Sequence, residues 1–174
     1  DDVSINVIPA TVTVDTSADY GAGDGNFGDT SSIAALLANR GTDGLISLRE
    51  AIDAANNSSN GAVADEIHFN ISDPLVNGAH TISLTVALPA ITDAVIIDGT
   101  TDSDFGSSPV IQVDDAGTVT HGLRVTGNDS TIKSLAVTGF NEGGVTLTGS
   151  NNTVIGNYIG LNADGSLDPD GQKH

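Results

Sequence analysis

From residue 66 onward the chain is a succession of short apolar–polar alternations cut by Gly, Asn, Asp and Ser. Period-two alternation bounded by turn residues predicts short strands. They fall at 67–69, 81–84, 94–97, 110–113, 123–126, 132–137, 145–148 and 154–159. Upstream, Val3, Ile5 and Val7 alternate with polar neighbours, Pro9 interrupts, and Val12 and Val14 resume the pattern. Residues 15–29 read as an acidic loop, with Asp15, Asp19, Asp24 and Asp29 set among glycines.

Between loop and strands the period changes to that of helices. Residues 31–39 place Ile33, Leu36 and Leu37 on one predicted face, with Gly41 as a stop. Ser47-Leu48-Arg49-Glu50 is a capping box, and Leu48, Ala51, Ile52 and Ala55 form the apolar stripe of a second helix.

The strand region repeats. Residues 121–142 align without gaps on 143–164, a period of 22. Gly122/Gly144, Thr126/Thr148, Gly127/Gly149 and Thr131/Thr153 are identical, and Leu123/Val145, Val125/Leu147, Ile132/Val154 and Val137/Ile159 agree in kind. This period, with short strands and polar corners, predicts the stacked coils of a β-solenoid. An antiparallel sandwich accounts for the strands but not for a gapless period. Leucine-rich repeats need recurrent Leu at fixed offsets, which is missing.

Composition narrows the partners. Aromatics are 3% and hydrophobics 38% of 174 residues, which suits a slender core of stacked Val, Ile and Leu. The net charge of -18, with 5 basic residues, excludes nucleic acid and anionic membrane surfaces as ready partners. No apolar stretch reaches the roughly 20 residues of a membrane span. With no Cys, neither disulfides nor thiolate metal sites form.

Ile46 to Ile52 with Ala54-Ala55-Asn56 resembles the "CSLREA" motif of bacterial secreted and surface proteins. Thr11 to Asp15 and Asp65 to Phe69 resemble that family's flanks, and Asn151 to Gly160 resembles a rung of the pectate-lyase-like superfamily. The resemblance implies a mainly β fold: a right-handed parallel β-helix of about 22 residues per rung with a small N-terminal helical cap. The expected organisation is an extended leader at 1–10, then first strand, acidic loop and cap at 11–61, and rungs at 62–174. Ser47, Leu48, Arg49, Glu50 and Ile52 are read as cap architecture, with Arg49 in a salt bridge to Asp15 or Asp65. The family's first motif position is often Cys, and here it is Ile46.

The resemblance also implies an extracellular or cell-surface setting. The reading favours a non-catalytic structural or adhesive module over an enzyme. The alternative is a domain that binds or cleaves polysaccharide along one face. Asp114-Asp115 and His121 resemble two hydrolase elements, but six residues separate Asp115 from His121, whereas stacked positions lie about 22 apart. Calcium is the one cofactor suggested, at Asp98, Asp102 and Asp104, at Asp164, Asp168 and Asp170, or at Asp19, Asp24 and Asp29. The same residues serve ordinary turns. His68, His80 and His121 read as isolated. The next repeat would begin at Gly165 with ten residues left, so the solenoid is expected to continue in a longer chain or to meet another molecule head to tail, with 3–8 pairing as an added strand.

Overall fold

The computed structural model describes residues 9–21, 23–61 and 63–167. The extended stretch of Val3, Ile5 and Val7, and the acids Asp168 and Asp170, lie outside the described residues. Eleven strands and two helices fall within them: β1 (Thr11–Val14), α1 (Ile33–Ala38), α2 (Leu48–Asn56), β2 (Asp65–Phe69), β3 (His80–Leu84), β4 (Val95–Asp98), β5 (Ile111–Asp115), β6 (His121–Val125), β7 (Thr131–Lys133), β8 (Leu135–Thr138), β9 (Gly143–Leu147), β10 (Thr153–Ile155) and β11 (Tyr158–Ile159). A single 3-10 turn, Gly99–Thr101, follows β4.

The strands form three sheets, ordered β1-β2-β4-β7-β10, β3-β5-β8-β11 and β6-β9, and every pairing between them is parallel. An isolated parallel bridge from Ile91 to Val125 extends the smallest sheet.

Register stacks like side chains on like. Val12 lies beside Ile67, Ile67 beside Ile97, Ile97 beside Ile132, and Ile132 beside Val154. The second sheet aligns Ile82, Val113, Val137 and Ile159 in the same way. The third aligns Ile91, Val125 and Leu147. Strand spacing of about 4.8 Å brings stacked β-branched side chains into contact along each column. The early members are sealed, whereas Ile159 is 43% and Leu147 42% exposed. The predicted pairing of Val125 with Leu147 is therefore observed, with only Val125 fully inside.

Two predicted strands are in fact broken. The stretch 132–137 divides at Ser134, whose φ of 56° turns the chain from β7 in one sheet to β8 in another. The stretch 154–159 divides one repeat later at Gly156, with φ of 67°. Left-handed corners recur likewise at Asp129 and Asn151.

Asparagine amides pin these corners. Asn157 accepts from Leu135 N–H and donates to the Ile132 carbonyl, both at 2.8 Å. Asn152 treats Ser130 N–H and the Gly127 carbonyl the same way. Asn56 holds Thr92 N–H and the Ala90 carbonyl. Asn60 holds Asp65 N–H and the Ala94 carbonyl. Each amide satisfies one donor and one acceptor that the ladder leaves open. Backbones approach closely here: a Cβ on Gly149 would run into the Gly127 carbonyl oxygen.

Both helices pack together near β1, and α2 lies against β1 and β2. The Ser32 hydroxyl caps α1 by accepting from Ala35 N–H. Ile33 and Leu36 are buried, but Leu37 is 43% exposed, contrary to its expected place on the inner face. Around the helix Leu36 lies about 60° to one side of Ile33 and Leu37 about 40° to the other, and only the Leu36 side is covered. In α2 the predicted capping box is present in full, and Leu48, Ala51, Ile52, Ala54 and Ala55 are buried. Among the described residues no helix is long and apolar enough to cross a membrane.

Candidate functional site

The motif residues of α2 are buried and used. Glu50 is fully buried; its carboxylate accepts from Ser47 N–H (2.8 Å), Ser47 Oγ–H (2.7 Å) and Gly28 N–H (2.6 Å). Three donors on one carboxylate make its burial tolerable. Arg49 corrects the expectation. Its partner is neither Asp15 nor Asp65 but Asp19, gripped through Nε and Nη2 at 2.8 and 2.7 Å. Nη1 and Nη2 also donate to the carbonyls of Ala87 and Val86. Asp15 instead accepts from Arg40 and from Ile46 N–H, because it sits at the end of β1 beneath the segment leading into α2. Among the described residues Asp65 accepts from Ala10 N–H at 3.3 Å and from no other donor, and Oδ2 is without a partner. Burial pushes its carboxyl above the usual range, the Ala10 bond pulls it back, and the charge of Asp93 adds to the rise.

The three acidic clusters resolve differently. Asp98 stands apart from Asp102 and Asp104. It caps the 3-10 turn through Thr100 and holds Lys133 Nζ at 2.9 Å. Burial alone would raise its pKa, but the Thr100 and Lys133 bonds outweigh that and hold it below the usual value. Asp164 closes a turn onto Ser166 N–H, whose side-chain and backbone bonds lower its pKa. In the first loop Asp19 is taken by Arg49, Asp24 bonds Asn26 N–H, and Asp29 bonds Ser31 N–H.

Asp102 and Asp104 gain a companion that sequence reasoning took as isolated. His80, the first residue of β3, points Nε2 at Asp104 Oδ2 (3.2 Å) and Asp102 Oδ1 (3.7 Å). The side chains of His80 and Asp102 are fully buried, while that of Asp104 is 48% exposed. Asp102 is held by Ile71 N–H on Oδ2 and Asp104 N–H on Oδ1. His80 Nδ1 is buried without a partner. Among the described residues this is the one group of His and acids whose ligand atoms all lie within 4.8 Å of one another. No local motif marks it, because β3 belongs to one sheet and the 3-10 turn follows a strand of another.

The hydrolase-like pair is differently employed. Asp115 Oδ1 accepts from the N–H groups of Gly117, Thr118 and Val119 at 2.6–2.9 Å, fixing a turn. His121 meets the Thr120 hydroxyl through Nδ1 and Glu142 through Nε2. On the outer face of the four-stranded sheet lies a groove of about 710 Å³, lined by Thr81, Gln112, Asp114, Asn162 and Asp164 among others. Compared with known proteins, the chain matches no family model, no curated protein and no solved structure.

Proposed function

We propose that the chain is a right-handed parallel β-helix closed at one end by α1 and α2, serving as a non-catalytic structural or adhesive module of an extracellular or cell-surface protein. The observation that carries the reading is the order in which the chain visits its sheets. From β2 onward it passes from the five-stranded sheet to the four-stranded one, then to the wall of Ile91, β6 and β9, and back again, cycle after cycle. A chain that returns always in the same sense, one strand further along, winds as a coil. The α2 stripe then lies over the exposed cross-section beside β1.

The polar side chains support a structural role. Asp98, Asp115 and Asp164 spend their oxygens on turn N–H groups. The charge of -18 keeps such a rod soluble. The resemblance of residues 46–56 to the surface-protein motif supports the location. The alternative, a polysaccharide-acting domain, draws on the groove at Gln112 and Asp114. The test combines protease shaving of intact producing cells with product-release assays on a panel of acidic polysaccharides. The module predicts surface-released fragments of this chain and no turnover. Turnover abolished by Asp115→Asn or His121→Ala would overturn the proposal, as would a chain protected inside intact cells.

A further inference from the structure

We infer that His80, Asp102 and Asp104 form a binding site for a divalent transition metal of the zinc or manganese type, not for calcium. The argument begins with distances. Metal–N and metal–O bonds of about 2.0–2.2 Å on a tetrahedral ion put neighbouring ligand atoms roughly 3.4 Å apart. The two Nε2–O separations, 3.2 and 3.7 Å, straddle that value. An ion fits between the three atoms with small side-chain adjustments.

The ligands are held in advance. Ile71 N–H fixes one oxygen of Asp102 and Asp104 N–H the other, leaving Oδ1 a free lone pair toward His80. The backbone N–H of His80 donates to Val110 at 2.8 Å, locking the start of β3. Such support is what a metal site requires of its surroundings.

The second observation is the orphaned Nδ1 of His80. A doubly protonated ring would bury a cation with one N–H unmet, which is costly. A ring protonated on Nε2 alone leaves the Nδ1 lone pair bare. A ring protonated on Nδ1 alone turns the Nε2 lone pair toward two carboxylates. A dication converts that last clash into three bonds and keeps the ring neutral, so only one N–H stays unsatisfied. Metal ligation leaves one group unmet, as the Nε2–H ring does, and it alone balances the charge of both facing carboxylates.

The donor set selects the class of ion. Calcium takes six to eight oxygens and makes little use of imidazole. One imidazole with two carboxylates suits zinc, manganese or iron(II). Entry is from the side of Asp104, the one half-exposed ligand, where solvent completes the coordination sphere. The acidic chain raises the local concentration of any cation.

The test uses the 174-residue chain, stripped with a chelator and desalted. Titration calorimetry with zinc, manganese and calcium chlorides is paired with thermal melting, and with NMR of the His80 ring nitrogens. The expected result is one tight equivalent of zinc or manganese, a raised melting temperature, and a shift of the Nε2 resonance. Asp104→Asn, at a half-exposed position, should weaken binding about 10–100-fold while the metal-free protein still folds. His80→Gln should abolish it. No saturable binding up to about 1 mM zinc or manganese would overturn the inference. So would equal affinity in Asp104→Asn, or tighter binding of calcium than of either transition metal.

Discussion

Replacing Arg49 with Ala removes the joint between α2, the acidic loop and the segment before Ile91. The guanidinium makes four hydrogen bonds, two to Asp19 and one each to the carbonyls of Val86 and Ala87. The two charged side chains are only 8% and 6% exposed. Solvent therefore screens the pair little, and removal strands the Asp19 carboxylate in a buried site. Breaking one half of a buried pair costs about 3–5 kcal/mol. With a urea m-value of about 2 kcal/mol/M, the unfolding midpoint should fall by about 2 M. Arg49→Lys keeps the charge, but one ammonium cannot span both Asp19 oxygens and two carbonyls, so about half the loss should remain. The assay is urea unfolding followed by far-ultraviolet circular dichroism, with Asp19→Ala completing a double-mutant cycle. Coupling of about 1–3 kcal/mol is expected. An Arg49→Ala variant within about 0.5 kcal/mol of the parent, the range of ordinary surface changes, would refute the reasoning.

Asn157→Ala leaves Leu135 N–H and the Ile132 carbonyl without their partner, and should cost about 1–3 kcal/mol, with faster hydrogen exchange at Leu135 as the local readout. Gly149→Ala forces a methyl against the Gly127 carbonyl and should cost about 1–3 kcal/mol in the same urea assay. Two carboxyls held above their usual range tie stability to pH: Asp65, by burial with the Asp93 charge adding, and Asp53, by burial that Arg49 partly offsets. Between the ordinary carboxylate value, near ~3.9, and these raised values the folded chain binds more protons than the unfolded one. The contribution of these two groups must then fall as pH rises through that window, whereas Asp98, held below its usual value, contributes with the opposite sign. Asp65→Asn should flatten this slope in melting curves taken from mildly acid to neutral pH; an unchanged slope counts against the burial of Asp65.

What the sequence disclosed depended on distance along the chain. The capping box was readable because Ser47 and Glu50 sit three apart and complete each other locally. The columns through Val125 and Leu147 were readable because the period repeats them. The corner at Ser134 was not, since a serine at positive φ carries no sign of it in the sequence. Its counterpart, Gly156 before Asn157, did carry a turn signal that a run of apolar residues concealed. Arg49 and Asp19 are 30 residues apart, and nothing local separates Asp19 from Asp15 or Asp24. His80 and Asp104 are 24 apart and meet only where the chain leaving the turn after β4 passes the start of β3 in another sheet. Sequence placed Asp98 with Asp102 and Asp104; the need to cap the 3-10 turn and hold Lys133 drew it elsewhere.

The amide of Asn60 carries a hidden clock. It is followed by Gly61, the neighbour that least hinders attack of the next backbone nitrogen on the side-chain carbonyl, and asparagine is among the residues most prone to thermal damage. Loss of ammonia would turn the group that donates to the Ala94 carbonyl into a negatively charged acceptor facing it, beside Asp65, already short of partners. Asn77-Gly78 is the same dipeptide but lies exposed in a turn, so of the two lesions it is the gain of one dalton on the peptide containing Asn60, read by mass spectrometry, that should carry a loss of stability.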